Sequence, residues 1–469
     1  MDNQIRVGFG RRQLLPEASI PLGGYGNERE RFHDTLGEPV CLSCIAVTDA
    51  ADTTILMIGI DLCSCSRALC EAFRDHITAA TGIPREHITV SATHTHASIS
   101  TKWDDIPSVP PFKKQMYEKI TAAAVEALAD RKPATMRTGS IETKNLNFIK
   151  HYKVQDNDTG AISYAGDLFG TFKNQTILEH ATPIDPTMHL LQFVREGAKN
   201  IVVCNFRAHP HFHSGFKASL FSSDYMGAYR RTLEAVTDCY TVFFQGACGN
   251  VNATTRIAEE RRYSTAESFG MGLAATAMEC LQKNMVDVEA GPIRCTNRIY
   301  RGQLWNTTAD MVENAKYIRD LWFKNYDTAE CKRAGLPLGI RSAFHARSIV
   351  ARTERVPEDG DIRMNAASIG DHFAFVTYPG EMFDALSVYM EEHSPFPMTM
   401  MFGYAMDHLG YLPTKIAYEY TSYETDSTRF APGTGEEVVA VQVEKDGYDT
   451  FRQSVSIQST TASLHATLE

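Results

Sequence analysis

Two histidine-rich segments carry the most chemical potential in this sequence. They are Ser91-Ala92-Thr93-His94-Thr95-His96-Ala97-Ser98 and Phe206-Arg207-Ala208-His209-Pro210-His211-Phe212-His213, and each follows an apolar, strand-like run. In extended chain, residues i and i+2 point to the same face, so His94 and His96 can enter one site. Neutral imidazole is a good zinc ligand, so the pair suits one ligand and one proton-handling group. A hydrogen-bonded pair without an ion remains the alternative. In the second segment Pro210 breaks regular extension. The pattern therefore asks for at least one metal-facing histidine, not for all three on one ion.

Three further segments add chemistry. Phe243-Phe244-Gln245-Gly246-Ala247-Cys248-Gly249-Asn250-Val251-Asn252 places two glycines after a strand. Such a turn can be purely structural, or it can present backbone N–H groups to a carbonyl or oxyanion. Cys248 within it reads as a packing residue rather than a nucleophile. Glu381, in Thr377-Tyr378-Pro379-Gly380-Glu381, follows a tight strand exit and offers a carboxylate, either to a metal or to the start of a helix. Tyr411 and Tyr423 belong to a tyrosine-rich region that would otherwise read as ordinary aromatic packing.

These residues need a scaffold that delivers them. Ile55–Asp61 is a short apolar run ending in a carboxylate, which reads as a strand buried on both faces. Helical character follows from Arg67 to Ala80, closed by Gly82-Ile83-Pro84, and an extended pattern resumes over His87–Ala92. This is an α/β unit. Further strands are expected over 40–48, 133–141, Met188–Arg195, Ile201–Ala208, Tyr240–Gln245, Phe373–Tyr378 and Met398–Phe402. Helices are expected over 115–130, 222–235, 261–282, 307–317, 322–335 and from Glu381 to about Met390. The polar stretch Gln155–Gln175 reads as a long surface connection. The fold class is thus α/β, with mixed β-sheets and flanking helices.

Composition narrows the function classes. The 469 residues are enough for one large catalytic unit. A formal charge of −11, with no Lys/Arg-rich run, argues against a nucleic-acid partner. No stretch approaches the roughly 18 apolar residues of a membrane span, and the N-terminus lacks a secretory pattern. The expectation is a soluble, cytoplasmic protein. Its 11 cysteines are expected to be reduced packing residues, since Cys41 and Cys44 lack a second pair to complete a zinc knuckle.

Taken in order, these segments and the opening Pro21-Leu22-Gly23-Gly24-Tyr25-Gly26 resemble the neutral/alkaline non-lysosomal ceramidase family over about residues 5–445. The resemblance implies a catalytic region over 1–445 and a 446–469 extension too short for that family's immunoglobulin-like domain. It also implies Zn2+ held by His94, His209, Glu381 and Tyr411, with His96 as proton carrier and Tyr423 beside the carbonyl oxygen. Asp224 falls on an acidic position that supports the site, and Asp61 and Asp224 are expected to orient the histidines by hydrogen bonding. The activity implied is zinc-dependent amide hydrolysis by metal-activated water, with a small acylated substrate of ceramide-like, lipid type.

Departures from the family pattern keep other functions open. Asn250 and Asn252 stand where the family has Gly-Asp followed, one residue on, by serine. A family arginine near Asn145–Phe148 is not retained, although Lys150 offers a replacement charge. The alternatives are a zinc-dependent esterase, a non-lipid amidase, or a catalytically inactive metal- or ligand-binding homologue.

Overall fold

Strands Val40–Thr48 and Thr54–Ile60 are buried at every residue, as predominantly apolar runs require when both faces of a sheet are covered. The computed structural model describes residues 4–25, 28–167, 172, 174–215, 217–325, 327–353, 357–419 and 422–439. The expected 446–469 extension, with its alternating apolar residues, lies outside the described residues, as do Gly26, Tyr420 and Thr421.

The expected α/β architecture with mixed sheets is present. The central sheet runs, in spatial order, through Cys239–Gln245, Asn200–Phe206, Thr187–Arg195, Lys132–Glu142, Ile5–Leu14, Val40–Thr48, Thr54–Ile60 and Ile88–Ala92. Its two outermost pairs are parallel and the pairs between them antiparallel. Helices Arg67–Thr81 and Val109–Ala129 cover one end of one face through Phe73, Ile77, Met116 and Ile120. Helices Tyr225–Val236 and Ala266–Lys283 cover the other end through Tyr229, Leu233, Phe269 and Leu273. A second sheet, Ile293–Arg301, Asp361–Ile369, Phe373–Thr377 and Met398–Phe402, packs on the opposite face. Val7, Val203 and Phe244 meet Ile369, Phe375 and Phe402 in that shared core. At about 1.5–3 kcal/mol for each large apolar side chain buried, this interface is a principal source of stability.

Two expectations are corrected. Gln155–Gln175 is not a plain connection: His151–Asp156, Ile162–Gly166 and Gln175–His180 form a three-stranded antiparallel sheet. Gly160, at φ 72°, turns the first hairpin after Asn157-Asp158-Thr159. Glu381 does not begin a helix either. It lies in the short strand Glu381–Met382, parallel to Tyr411–Leu412, and the helix starts at Asp384.

Candidate metal and catalytic site

Five loops build the site, each leaving the C-terminal end of a strand in a parallel pair. Ile88–Ala92 delivers His94 and His96, Asn200–Phe206 delivers His209 and His211, and Cys239–Gln245 delivers Asn252. Phe373–Thr377 delivers Glu381, and Met398–Phe402 delivers His408 and Tyr411. Ligand sites of α/β sheets gather at this end of the strands. The exit of Met398–Phe402 is threaded against the central sheet: Ala92 N–H donates to Tyr404 O at 3.1 Å and Gly403 N–H to Gln245 O at 2.8 Å. The two sheets therefore place their loops in a common register.

Three acceptor atoms converge at the centre. Glu381 Oε2 lies 3.5 Å from His94 Nε2 and 3.3 Å from His209 Nε2. His94 Nδ1–H donates to Cys63 O at 2.6 Å, and His209 Nδ1–H to Val251 O at 3.1 Å. Those bonds occupy both Nδ1 atoms and turn both Nε2 atoms toward Glu381. Glu381 Oε2 is buried and accepts no hydrogen bond. A buried carboxylate facing two imidazole nitrogens requires positive charge beside it, from a proton or from a metal ion. Two ligands about 2.0–2.1 Å from a tetrahedral zinc stand roughly 3.3–3.4 Å apart, so donor types and spacing both fit that ion. His94 is also left-handed, at φ 66°, a conformation costly for a non-glycine residue and maintained here by the surrounding fold.

The electrostatics agree with that demand. Burial pushes Glu381 up, but His94 and His209 outweigh it and hold the carboxyl well below its usual range. Burial lowers His94, while Cys63 and Glu381 raise it further, leaving it at about 10. A proton at His94 is the smallest cation that can serve this cluster. Burial, then Lys150, takes His209 down to about 4 and keeps it neutral. His96 is held well below its ordinary value by burial and then by His94 and His209, and its Nε2 lies 3.0 Å from His94 Nε2.

Tyr411 and Tyr423 line the same cavity of about 670 Å³ as the four residues above. Their rings meet edge-on with centroids 5.6 Å apart. Burial and then Glu381 raise the Tyr411 phenol, and the same two causes push Tyr423 up to about 12, so it stays a hydrogen-bond donor. Lys150 Nζ sits 5.4 Å from the Tyr411 ring centroid and 2.8 Å from Glu424 Oε1, whose other oxygen lies 2.9 Å from His151 Nε2. A buried cation therefore does stand near the tyrosines.

The backbone around Glu381 is braced from beneath. A Cβ on Gly380, at φ 153°, would lie 2.4 Å from Gly410 O, so only glycine lets the two short strands meet. Gly249 N–H donates to Met382 O, and Asp384 N–H to Asn250 Oδ1, both at 2.8 Å. Arg207 is buried between Asp384 and Glu391, each at 2.9 Å, and Asp185 at 3.0 Å.

Of its two readings the glycine turn takes the structural one: the N–H groups of Gly246, Gly249 and Val251 are bonded to Phe206, Met382 and Cys248 carbonyls. Two expectations change. Asp61 pairs with Arg230 at 2.9 Å, and Asp224 accepts from the His213 and Tyr225 N–H groups. Neither carboxylate orients a histidine ring of the cluster; backbone carbonyls do so. Cys248 is a packing residue as expected, its thiol raised by burial and 3.0 Å from Tyr404 Oη.

No family model matches the chain, and no curated protein matches it by sequence. Solved structures do match. The neutral ceramidase from Pseudomonas aeruginosa aligns over 94% of this chain and 73% of its own, with a TM-score of 0.65 and 16% identity. A ceramidase complexed with C2 aligns over 93% and 74%, with a TM-score of 0.67 and 16% identity. The fold is neutral-ceramidase-like.

Within this ceramidase-like fold, the sequence had singled out all three converging acceptors. It missed His408, whose Nε2 is 3.8 Å from Glu381 Oε1 and whose ring stacks at 6.3 Å on His94. The only cue was its position three residues before Tyr411. Cys63, read as packing, also lines the cavity with Sγ 3.9 Å from His94 Nδ1. His211 is turned into the cavity, Nε2 3.1 Å from Asn252 Oδ1, whereas His213 turns away to Ser222 at 3.0 Å.

Proposed function

We propose that this chain is a zinc-dependent hydrolase that cleaves an N-acyl amide bond with water, giving a carboxylic acid and an amine. The observation that carries this reading is the convergence of His94 Nε2, His209 Nε2 and Glu381 Oε2 in one buried cluster of metal-ligating atoms. The ceramidase names of both structural neighbours favour an amide over an ester and make ceramide-like lipids the first amides to test.

His94, His209, Glu381 and Tyr411 would hold the zinc. When bound, zinc acts as a Lewis acid and makes water a usable nucleophile near neutral pH. His96, kept unprotonated by its surroundings, accepts the water proton at Nε2 and returns it to the leaving nitrogen. Tyr423 keeps its phenolic proton and donates it as a hydrogen bond to the carbonyl oxygen as negative charge develops there. Lys150, locked by Glu424, adds positive potential to the same wall.

The 11 cysteines form no disulfide, which supports a cytoplasmic location as a further part of this proposal. The hydrolase reading is tested by assaying zinc-loaded protein on matched amide and ester panels, ceramides included. Turnover should vanish on chelation and return with zinc. A folded, zinc-loaded protein inert on every amide would overturn it.

A further inference from the structure

A long-chain lipid amide needs an apolar channel on at least one side of its scissile bond. This cavity does not provide one among the described residues. Around the histidines and tyrosines, Ile99 and Phe344 are its only large aliphatic or phenyl side chains. Lys102, Lys150, Arg256 and Arg261 line it together with Glu28, Asp167 and Glu424, so a long acyl chain seated there would strip water from charged groups.

The charges on that wall are not all balanced internally. Lys150 is tied to Glu424 as described, Lys102 reaches Glu28 at 3.4 Å, and Arg256 pairs with Asp167 at 2.9 Å. Arg261 differs. Its Nη2 and Nε donate to the Thr255 carbonyl at 2.8 and 3.2 Å, and it has no carboxylate partner among the described residues. Those two bonds hold the guanidinium at the Thr255 carbonyl, and Thr255 is three residues along the chain from Asn252, itself opposite His209 in a parallel bridge. Three residues of chain span at most about 10 Å. Arg261 lines the same cavity as His94, His209 and Glu381, and its guanidinium has donors left over for an oxyanion.

Building on the hydrolase reading, we infer that the substrate is a compact, water-soluble N-acyl compound bearing a carboxylate several bonds from the scissile amide, and that Arg261 binds this carboxylate. Specificity then comes from a polar, two-point grip. The metal cluster fixes the reacting carbonyl and Arg261 fixes the far end, so chain length between the two groups is selected.

The test uses zinc-loaded full-length protein and a series of N-acyl amides differing only at the far end: a carboxylate, its methyl ester, and a long alkyl chain in detergent. Parent protein should prefer the carboxylate over the ester by at least about tenfold in kcat/KM. Arg261→Ala should reduce that preference at least about tenfold, chiefly through KM, and Arg261→Lys should restore part of it. Best turnover on the alkyl amide, or an unchanged preference in Arg261→Ala, would overturn the inference. Thermal stabilisation by the carboxylate product, compared between parent and Arg261→Ala at equal zinc content, reads Arg261 independently of turnover. A shift lost in the variant supports the grip even if no amide is cleaved, an outcome that would fail the hydrolase reading alone; an equal shift overturns the grip.

Discussion

Glu381 and Tyr411 sit opposite each other in a two-residue parallel ladder, Glu381 N–H donating to Gly410 O at 2.9 Å. The ladder makes the carboxylate and the phenol one unit. Whatever displaces one strand displaces both, and Gly249 is the residue against which that unit is seated.

Gly249→Ala tests that seating. The added Cβ would stand 2.5 Å from Glu381 O and 2.8 Å from Met382 O, and neither backbone atom can swing aside. We expect a loss of about 1–3 kcal/mol in stability, the usual cost of overpacking. Zinc retention should fall with it. Chemical denaturation and metal analysis on the same sample check both, and unchanged values would show that the ladder tolerates displacement.

Glu381→Gln removes the buried charge but keeps its shape. Even groups that only support ligands commonly cost 10–100-fold in metal affinity, so loss of this carboxylate should weaken zinc binding by more than about 100-fold. Competition with a chromogenic chelator measures it. Parent-like affinity would remove Glu381 from the proposed ligand set.

Tyr423→Phe and Tyr411→Phe separate turnover from metal retention. Tyr423→Phe should keep its zinc and lose about 10²- to 10³-fold in kcat, the magnitude of one oxyanion donor. Tyr411→Phe should lose zinc as well. Near-parent turnover by Tyr423→Phe, or equal zinc loss in both, would contradict this division of roles.

Lys150→Met probes the buried pair with Glu424. Burial raises Glu424, but Lys150 and His151 outweigh it and leave its pKa depressed. A depressed carboxyl contributes stability that is present above its unfolded pKa, about 4.3, and is lost as pH falls toward the folded value. Leaving Glu424 with His151 as its remaining partner should cost up to about 3–5 kcal/mol near neutral pH. The gap between parent and variant should narrow as pH drops below about 4.3, as read from denaturation curves across pH. A gap that widens in acid would mean that Glu424 is not stabilised by Lys150.

Much of this was legible in the chain, for identifiable reasons. Strands such as Thr54–Ile60 and Met398–Phe402 are covered on both faces, so burial writes an unbroken apolar run. His94, His209 and Glu381 stood out as candidates because each closely follows such a run, and the resemblance to the ceramidase family is what implied them as a ligand set. The sheet built on Ile162–Gly166 and Gln175–His180 was missed because these strands are largely exposed, which erases the apolar signal; the Asn157–Gly160 turn was the remaining cue. Asp61 was misassigned because Arg230 is distant in sequence and adjacent only after folding, and Asp224 because it caps the helix that follows it, accepting from Tyr225 N–H. His408 was missed for a related reason: it approaches Glu381 only because Phe373–Thr377 and Met398–Phe402 lie side by side in the second sheet.

Zinc-edge anomalous diffraction from crystals of zinc-reconstituted protein tests the central claim most directly. The account predicts one strong peak, bounded by His94 Nε2, His209 Nε2 and Glu381 Oε2, with the Tyr411 hydroxyl beside it. A map with no peak there, while the three side chains hold the positions described above, would contradict it.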